Sequence, residues 1–357
     1  MGSPLTGVGR YALNLLLGLS YIESTLELLV LFSDARVHKV VSRSGGPYRN
    51  RFQWIPSATG KLGSAFGNRL TSVELPWLLR VHNAKLFHNL ATQSVWTTNI
   101  PFLSTVHELE GLHFGSAETY RKKMKRILKK AALMIAVSKT VASEIENELH
   151  FSMPKIRIIP HAIDPWFAEK PSQEEVKAMR NRFQLRGPYF LCVSSSPRES
   201  KNVDFITKFA EADSRNWVFT IKRQSHRSKP TESKVYYLNN LDDIWLRPLY
   251  AEATAVVMPS IYEGFSIPPM EALAAGTIPV VSDIAAHKEI LGNVLPKQLF
   301  FDPKNSDSLN SALSAVTQGG EPLKTAILDS FKMIKDKYSY IETAKKVQTV
   351  YIEALNL

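Results

Sequence analysis

The sequence of 357 residues contains a single cysteine, Cys192. An internal disulfide framework is therefore excluded, and a chain so poor in cysteine is typical of a reducing compartment. It contains no run of about 18 uninterrupted apolar residues, the length that a membrane-spanning helix needs. Its start also lacks the basic, apolar and small-residue order of a secretory signal. These absences predict a cytoplasmic protein that does not cross a membrane.

The sequence also lacks an Asp-X-Asp pair and the usual zinc-ligand spacings, so we expect no metal site. Its formal net charge is nevertheless +11, which indicates an anionic partner such as nucleotide phosphates, a phospholipid surface or nucleic acid.

The densest basic run is RKKMKRILKK, residues 121–130, in which Met124, Ile127 and Leu128 have the spacing of one helical stripe. This run predicts a basic amphipathic helix. Its basic face is either simply solvated or attached to an anionic membrane surface. In the second case the protein would be peripheral on the inner face of the membrane. Nucleic acid is disfavoured as a partner because no interleaved aromatic residues accompany the charges.

The length predicts two domains. Short apolar runs alternate with helical patterns along the chain, at 26–32, 84–88, 101–106, 133–137 and 155–159, and again at 188–194, 217–221, 234–238, 253–258 and 277–282. Continuous apolar runs separated by helices predict parallel sheets that are covered on both faces. We therefore predict two doubly wound α/β domains, residues 1–165 and 166–337, with a last helix, 338–357, that packs back on the first domain.

The segment YEGFSIPPMEALAAG, residues 262–276, follows an apolar strand. Pro268 or Pro269 is predicted at the first helical position, and Gly276 is predicted to end that helix. Glu263 in the loop and Glu271 in the first helical turn would bracket the phosphates of a bound nucleotide. Carboxylates there accept hydrogen bonds from hydroxyl groups such as those of a ribose or a hexose. Gly264, Phe265 and Ser266 are candidates to contact a diphosphate through their backbone at the carboxyl edge of the sheet.

The segment PSIYEGFSIPPMEALAAGTIPVVSD resembles the nucleotide-sugar site of retaining glycosyltransferases of family 4 (glycosyl transferases group 1), which have the GT-B fold of two Rossmann-like domains. The similarity extends over most of the chain, through LTGVGRYALNLL, STVHELEGLHF, MIAVSKTVASEI, KIRIIPHAIDPWF and LCVSSSPRESKNV. The resemblance implies a metal-independent retaining hexosyltransferase that uses no cofactor. Its donor would be a nucleotide-diphosphate sugar and its acceptor a glycan or a lipid-linked glycan.

The resemblance implies roles for individual residues. It implies a catalytic set of His107, Glu263, Lys201 and Arg198, in which the two cations hold the donor diphosphate and the other two side chains contact the donor sugar. It also implies that the donor is bound by Glu271, Gly264, Phe265 and Ser266, with Gly7 and Gly9 in a loop that faces the sugar and the acceptor.

The sequence departs from the family pattern in three places. The first strand of the N-terminal domain, which normally precedes the glycine loop, is missing. The donor loops lack two glycines, in VSSSP and in FTIKRQ, and His161 stands where the family often has asparagine, without an assigned role. A degenerate GT-B scaffold that binds nucleotide without transfer is therefore an alternative. The mannosyltransferase-like SIYEGF segment favours GDP-mannose as donor for surface polysaccharide synthesis, and UDP-sugars stay open.

Overall fold

The computed structural model describes residues 7–32, 35–56, 74–91, 99–194, 197–220, 234–238 and 241–357. Packing divides the chain into two compact units. The N-terminal unit consists of residues 7–162 and 337–357, and the C-terminal unit contains residues 163–336. No helix among the described residues is both long enough and apolar enough to span a bilayer.

The N-terminal unit alternates helices with parallel strands. Its elements are α1 (Gly7–Tyr21), β1 (Leu28–Phe32), α2 (Ala35–Ser44), β2 (Phe52–Pro56), α3 (helical residues 74–81), β3 (Phe87–Asn89), β4 (Phe102–Val106), α4 (Ala117–Leu128), β5 (Leu133–Ala136), α5 (Lys139–Asn147) and β6 (Ile156–Ile158). Every residue of β4 and β5 is buried, as their continuous apolar sequences predict for central parallel strands.

The strands of this unit form two separate parallel sheets. One sheet pairs β1 with β2, and the other has the order β3-β4-β5-β6. Within the described part of the unit, no strand lies between β1 and β3.

The C-terminal unit is a doubly wound α/β sheet. Its elements are α6 (Gln173–Phe183), β7 (Phe190–Cys192), α7 (Val203–Ala212), β8 (Trp217–Phe219), β9 (Val235–Tyr237), α8 (Leu246–Ala251), β10 (Ala255–Met258), α9 (Pro268–Ala274), β11 (Pro279–Ser282), α10 (Ala285–Leu291), β12 (Phe300–Phe301) and α11 (Ser306–Lys332). Helix α11 is interrupted at Gly320, where φ is +49°.

The six strands of this unit are parallel, in the order β12-β11-β10-β7-β8-β9. The first strand in sequence, β7, pairs with β8 on one side and with β10 on the other. The strand order therefore reverses between β7 and β10, and in open parallel sheets ligands bind beside the carboxyl ends of strands at such a reversal.

The predicted boundaries of the helix in the 262–276 segment are confirmed. Helix α9 begins at Pro268, where proline has no N–H to leave unsatisfied. Gly276 has a φ of +80°, a left-handed conformation that glycine adopts without steric cost. The chain then enters β11 directly, so the segment forms a strand, loop, helix and strand in succession.

The last helix, α12 (Tyr340–Leu355), belongs to the N-terminal unit. It packs closely against α1, where a Cβ atom at Gly18 would lie 2.1 Å from the carbonyl oxygen of Tyr340. Arg157, in β6, donates through Nε to Oε2 of Glu353 at 2.9 Å. These contacts join the end of the chain to the first helix and to the last strand of the N-terminal sheet.

Helix α4 covers most of the predicted basic run, although it begins at Ala117 and ends at Leu128. The predicted stripe of Met124, Ile127 and Leu128 is buried within the unit. Basic side chains are exposed on the opposite side of the helix and just after it, at Lys122, Lys123, Arg126, Lys129 and Lys130. The apolar face of α4 is thus occupied by the protein core, and only its charge faces solvent.

Candidate active site

In the C-terminal unit, the loops that follow β7 and β10 are joined by hydrogen bonds. The backbone N–H of Ile261 donates to the carbonyl oxygen of Ser200 at 2.8 Å. Nδ2 of Asn202 donates to the carbonyl oxygen of Pro259 at 3.0 Å. Asn202 has a φ of +53°, a left-handed conformation that asparagine tolerates better than most residues. The turn that presents Lys201 is therefore fixed against the loop that follows β10.

Lys201 and Glu263 form an ion pair between these two loops. Nζ of Lys201 lies 2.7 Å from both carboxylate oxygens of Glu263. Oγ of Ser260 also donates to Oε1 of Glu263, at 2.7 Å. Burial raises the pKa of Glu263, but the charge and the hydrogen bonds of Lys201 outweigh it, so the net pKa lies below the usual value. Both side chains are largely buried, with exposed fractions of 15% for Lys201 and 6% for Glu263, and the pair is charged.

A second layer of polar residues supports this ion pair. The hydroxyl of Ser282 donates to the carbonyl oxygen of Ser260. Nδ1 of His287 lies 2.9 Å from the carbonyl oxygen of Ser282, and because a carbonyl only accepts, Nδ1 carries the proton. Burial lowers the pKa of His287, so the ring is neutral. The ion pair, Ser260, Ser282 and His287 together form what we call the Lys201–Glu263 cluster.

Glu271 lies in the first turn of α9 and is almost fully buried. The hydroxyl of Tyr250, in α8, donates to its Oε2 at 2.7 Å. The backbone carbonyl of Tyr250 in turn accepts from the hydroxyl of Thr277 at 2.7 Å. The carboxylate of Glu271 is thus held by a neighbouring helix.

Ser266 has an unusual backbone conformation, with a φ of +68°. Left-handed conformations are strained for a residue that has a Cβ, and such strain is concentrated at functional sites. Its hydroxyl oxygen is buried and has no hydrogen-bond partner among the described residues. Phe265 and Gly264, the two residues before it, are also buried. Ser266 therefore combines a strained backbone with an unused hydroxyl, three residues after Glu263.

In the N-terminal unit, His107 directly follows β4 and lies close to His161. Nε2 of His107 is 2.6 Å from the carbonyl oxygen of Leu90, and Nδ1 of His107 is 3.0 Å from Nε2 of His161. The ring of Tyr11 packs edge-on against His107, with centroids 4.8 Å apart. Burial lowers the pKa of His107 to about 4 and lowers that of His161 well below its ordinary value.

Two further side chains link this pair to the C-terminal helix. Nε2 of His88 lies 2.8 Å from Oγ1 of Thr105, and Nδ1 of His88 lies 2.8 Å from the hydroxyl of Tyr351. The hydroxyl of Tyr11 is 3.1 Å from the same Thr105 oxygen. These six residues, Tyr11, His88, Thr105, His107, His161 and Tyr351, form what we call the histidine cluster.

Three other predicted site residues, Arg198, Gly7 and Gly9, lie outside the two clusters. Arg198 is half-buried, at the residue before the turn that contains Lys201. Gly7 and Gly9 lie in the first turn of α1 and not in a loop, so the predicted loop conformation is wrong. Glycine has no Cβ and adopts helical as well as loop conformations, so the two glycines do not prevent α1 from beginning at Gly7. The altered donor loop in FTIKRQ lies largely outside the described residues.

Several supporting residues were not predicted from the sequence. Ser260 and Ser282 lie within the recognised segment 259–283, but no pattern there marks their contacts. Tyr250, His287 and His88 lie outside the quoted family-like segments and reach the site only through the fold. Across the described ranges, no group of three or more histidine, cysteine or acidic residues is arranged to hold a metal. The expectation of a metal-independent reaction stays a prediction.

Comparison with known proteins identifies the class to which the chain belongs. The structure of Anabaena HepE in complex with UDP and glucose matches with a TM-score of 0.75 and 13% sequence identity, over 98% of this chain and 96% of that chain. The chain therefore has the GT-B glycosyltransferase fold. Residues 5–167 match the family model "Glycosyltransferase Family 4", and residues 181–327 match "Glycosyl transferases group 1". The protein belongs to this glycosyltransferase family.

Two curated relatives carry a narrower description. The O-antigen chain mannosyltransferase RfbU of Salmonella typhimurium is 28% identical over 228 residues, which cover 60% of this chain and 60% of that protein. The O-antigen chain mannosyltransferase B of Escherichia coli is 23% identical over 335 residues, which cover 86% of each. The expected family and fold are thus confirmed, together with several mannosyltransferase relatives at low identity.

Proposed function

We propose that this glycosyltransferase transfers mannose from GDP-mannose to a glycan or lipid-linked glycan acceptor, with retention of anomeric configuration and without a metal. The observation that carries the proposal is the Lys201–Glu263 ion pair at the strand reversal of the C-terminal sheet. An ammonium group and a carboxylate meet there, at the edge where parallel sheets bind ligands. A nucleotide sugar presents the matching groups, an anionic diphosphate and a sugar with several hydroxyls.

Lys201 is suited to hold the diphosphate. Its ammonium group has three N–H donors, and two of them are used by the carboxylate oxygens of Glu263. The third is available to a phosphate oxygen without loss of the ion pair. When the bond between the sugar and the diphosphate breaks, negative charge develops on the leaving oxygen, and a cation fixed beforehand stabilises it. Arg198 would add a second cation, and the departing diphosphate would take the proton of the acceptor hydroxyl.

Glu263 is suited to bind the sugar, because among the described residues its Oε2 accepts only from Lys201 and so retains capacity for a hydroxyl donor. Glu271 would accept from the ribose, and the unused hydroxyl of Ser266 would donate to a phosphate oxygen. The supporting residues Ser260, Ser282 and His287 would keep Glu263 oriented while ligands exchange.

The mannosyltransferase descriptions of the two O-antigen relatives support mannose as the transferred sugar and polysaccharide synthesis as the setting. The UDP complex of HepE supports a UDP-sugar as the alternative donor. We further propose that the exposed basic face of α4 attracts the chain to an anionic membrane, where a lipid-linked acceptor would be found.

A nucleotide-binding scaffold without transfer is the second candidate. The observation that favours it is the division of the N-terminal strands into two sheets. A weakened acceptor-side sheet would leave donor binding intact, because the Lys201–Glu263 cluster lies wholly within the other unit.

The deciding experiment measures binding and transfer separately. Calorimetry with GDP, UDP and ADP, then with GDP-mannose and UDP-glucose, identifies the donor, and we expect tightest binding of GDP-mannose. Glu271→Ala should weaken the binding of every nucleotide, because the ribose is common to them, whereas Glu289→Ala, at an exposed position of α10, should not. Transfer to lipid-linked glycan is followed by NMR of the anomeric proton, with and without EDTA. An inverted product would refute the retaining mechanism, and binding without transfer would favour the scaffold.

A further inference from the structure

The proton positions in the His107–His161 pair follow from its partners. The carbonyl oxygen of Leu90 can only accept, so the 2.6 Å contact requires a proton on Nε2 of His107. In a neutral ring Nδ1 is then a bare acceptor. The 3.0 Å contact at Nδ1 therefore requires that His161 donates from its own Nε2. Each ring is limited to one tautomer by this chain of hydrogen bonds.

Two neutral rings have no other arrangement that satisfies both contacts. If His161 lacked the proton on Nε2, two bare nitrogens would face each other at 3.0 Å. A cationic ring is disfavoured by burial in this cluster, which lowers the pKa of both imidazoles. Tyr11 packs against the faces and edges of both rings, with centroid distances of 4.8 Å to His107 and 5.1 Å to His161. The two imidazoles are thus fixed in orientation as well as in protonation.

We propose that His161 is a positioning residue, whose Nε2–H holds His107 in a single tautomer and orientation at the carboxyl end of β4. Both nitrogens of His107 are then engaged inside the N-terminal unit, and the ring is withheld from proton transfer. His107 acts through its fixed shape and the C–H edge of its ring. A hydrogen bond from one of its nitrogens to the sugar would require loss of the contact with Leu90 or with His161. This inference rests on the proposed function, because the change in turnover that it predicts requires that the chain transfers a sugar.

The first test is spectroscopic and does not depend on activity. The chain has nine histidines, and their ring nitrogens are labelled with ¹⁵N and examined by long-range ¹H–¹⁵N correlation, with His107→Gln to assign the signal. We expect His107 to be neutral at pH 7, with the proton on Nε2, and to stay so at pH 6. A proton on Nδ1, or titration of the ring near pH 6.5, would overturn the proposal.

The second test uses two substitutions of His161. His161→Asn keeps an N–H donor for Nδ1 of His107, whereas His161→Leu removes it. We expect His161→Leu to lower kcat about 10-fold, with donor KM within about twofold of the wild type, since one neutral hydrogen bond is lost. His161→Asn should recover most of the turnover and keep the wild-type tautomer of His107.

The outcomes separate this inference from the proposed function. Wild-type kcat and an unchanged His107 spectrum in a folded His161→Leu protein would overturn the positioning role. If His161→Leu does not fold, the spectra of the wild type and of His161→Asn still decide the tautomer. If no donor supports transfer in any variant, the proposed function fails while the spectroscopic result stands.

Discussion

The ammonium nitrogen of Lys201 lies 2.7 Å from each carboxylate oxygen of Glu263, and both side chains are largely buried. Buried ion pairs contribute little net stability compared with apolar replacements, but loss of one partner leaves an uncompensated charge. We therefore expect Lys201→Met and Glu263→Gln each to lower the free energy of unfolding by about 3 to 5 kcal/mol.

The double variant Lys201→Met/Glu263→Gln should be more stable than either single variant, because neither charge is then left alone. Urea unfolding at pH 7 measures all three. Lys332→Met, which breaks an exposed ion pair with Asp329, serves as control and should cost less than about 1 kcal/mol. Strictly additive losses in the double variant would show that the two charges are not coupled.

Ser266 allows backbone strain and hydroxyl chemistry to be separated. Ser266→Gly should relieve the strain of its +68° φ and stabilise the fold by about 0.5 to 1 kcal/mol. Ser266→Ala retains the strain and loses only the hydroxyl. Both variants should bind the nucleotide about 2- to 10-fold more weakly, as expected for one hydrogen bond. Calorimetry and thermal unfolding give the two readouts, and unchanged affinity in both variants would remove Ser266 from the donor site.

The hydroxyl of Tyr250 should matter for nucleotide affinity, because it donates to Glu271. We expect Glu271→Ala to weaken nucleotide binding about 10- to 100-fold and Tyr250→Phe to weaken it about 3- to 10-fold. Tyr351→Phe is the matched control, since it removes a similar hydroxyl contact to His88 in the other unit. It should lower stability without a change in affinity, and an equal loss of affinity in both tyrosine variants would point to a general effect on folding.

Stability should depend on pH through the histidine cluster. The pKa of His88 is lowered to about 3 and that of His107 to about 4 by burial, whereas an unfolded imidazole has a pKa of about 6.5. The unfolded chain therefore binds more protons below this value, and the free energy of unfolding falls as the pH falls. Each of the two rings should account for about 1.5 kcal/mol between pH 6.5 and pH 5.

Urea unfolding at several pH values from 7.5 to 5 tests this dependence. His107→Gln should make the decline with falling pH less steep. His150→Asn should not, because His150 is exposed and asparagine tolerates its φ of +56°. A decline that is the same in the wild type and in His107→Gln would mean that His107 is charged or exposed in the folded protein.

The basic face of α4 should set the affinity for anionic membranes. Replacement of Lys123, Arg126 and Lys129 by glutamine removes about 1 kcal/mol of attraction per residue, or about 100-fold in affinity for vesicles that contain an anionic phospholipid. A control triple variant at Lys332, Lys335 and Lys337 loses the same charge elsewhere and should keep its affinity. Cosedimentation at low and high salt measures the difference. Equal losses in the two triple variants would indicate attraction by net charge alone.

The strands and the donor segment were largely predictable from the sequence because they depend on local patterns. The apolar runs that form β4, β5 and β10 are continuous, and Pro268 and Gly276 mark the ends of α9 through their own backbone preferences. Strand β2 was missed, since only Phe52 of its five residues is buried and it ends at Pro56, which is unusual within a sheet. The two-residue strand β12 has too short a pattern to detect.

The hydrogen-bond partners within the site were not predictable, because they come from distant parts of the chain. His88 and Tyr351 are 263 positions apart, and Lys201 and Glu263 are 62 positions apart. Spacing in the sequence predicts which residues share a helix or a strand edge, but not which side chains meet across a fold. Gly7 and Gly9 illustrate a related limit, since glycine is compatible with a loop and with the first turn of a helix.

The position of α12 has a consequence for the order of events during synthesis. Among the described residues the C-terminal unit is continuous in sequence, whereas the N-terminal unit needs residues 340–355 to cover α1 and to satisfy His88 and Arg157. A ribosome makes residues 7–162 of that unit long before its last helix. The C-terminal unit is therefore able to complete its fold first. Until α12 is made, the N-terminal unit has an apolar surface of α1 uncovered. During that interval the exposed apolar surface is open to aggregation, which is the general hazard of incompletely folded chains.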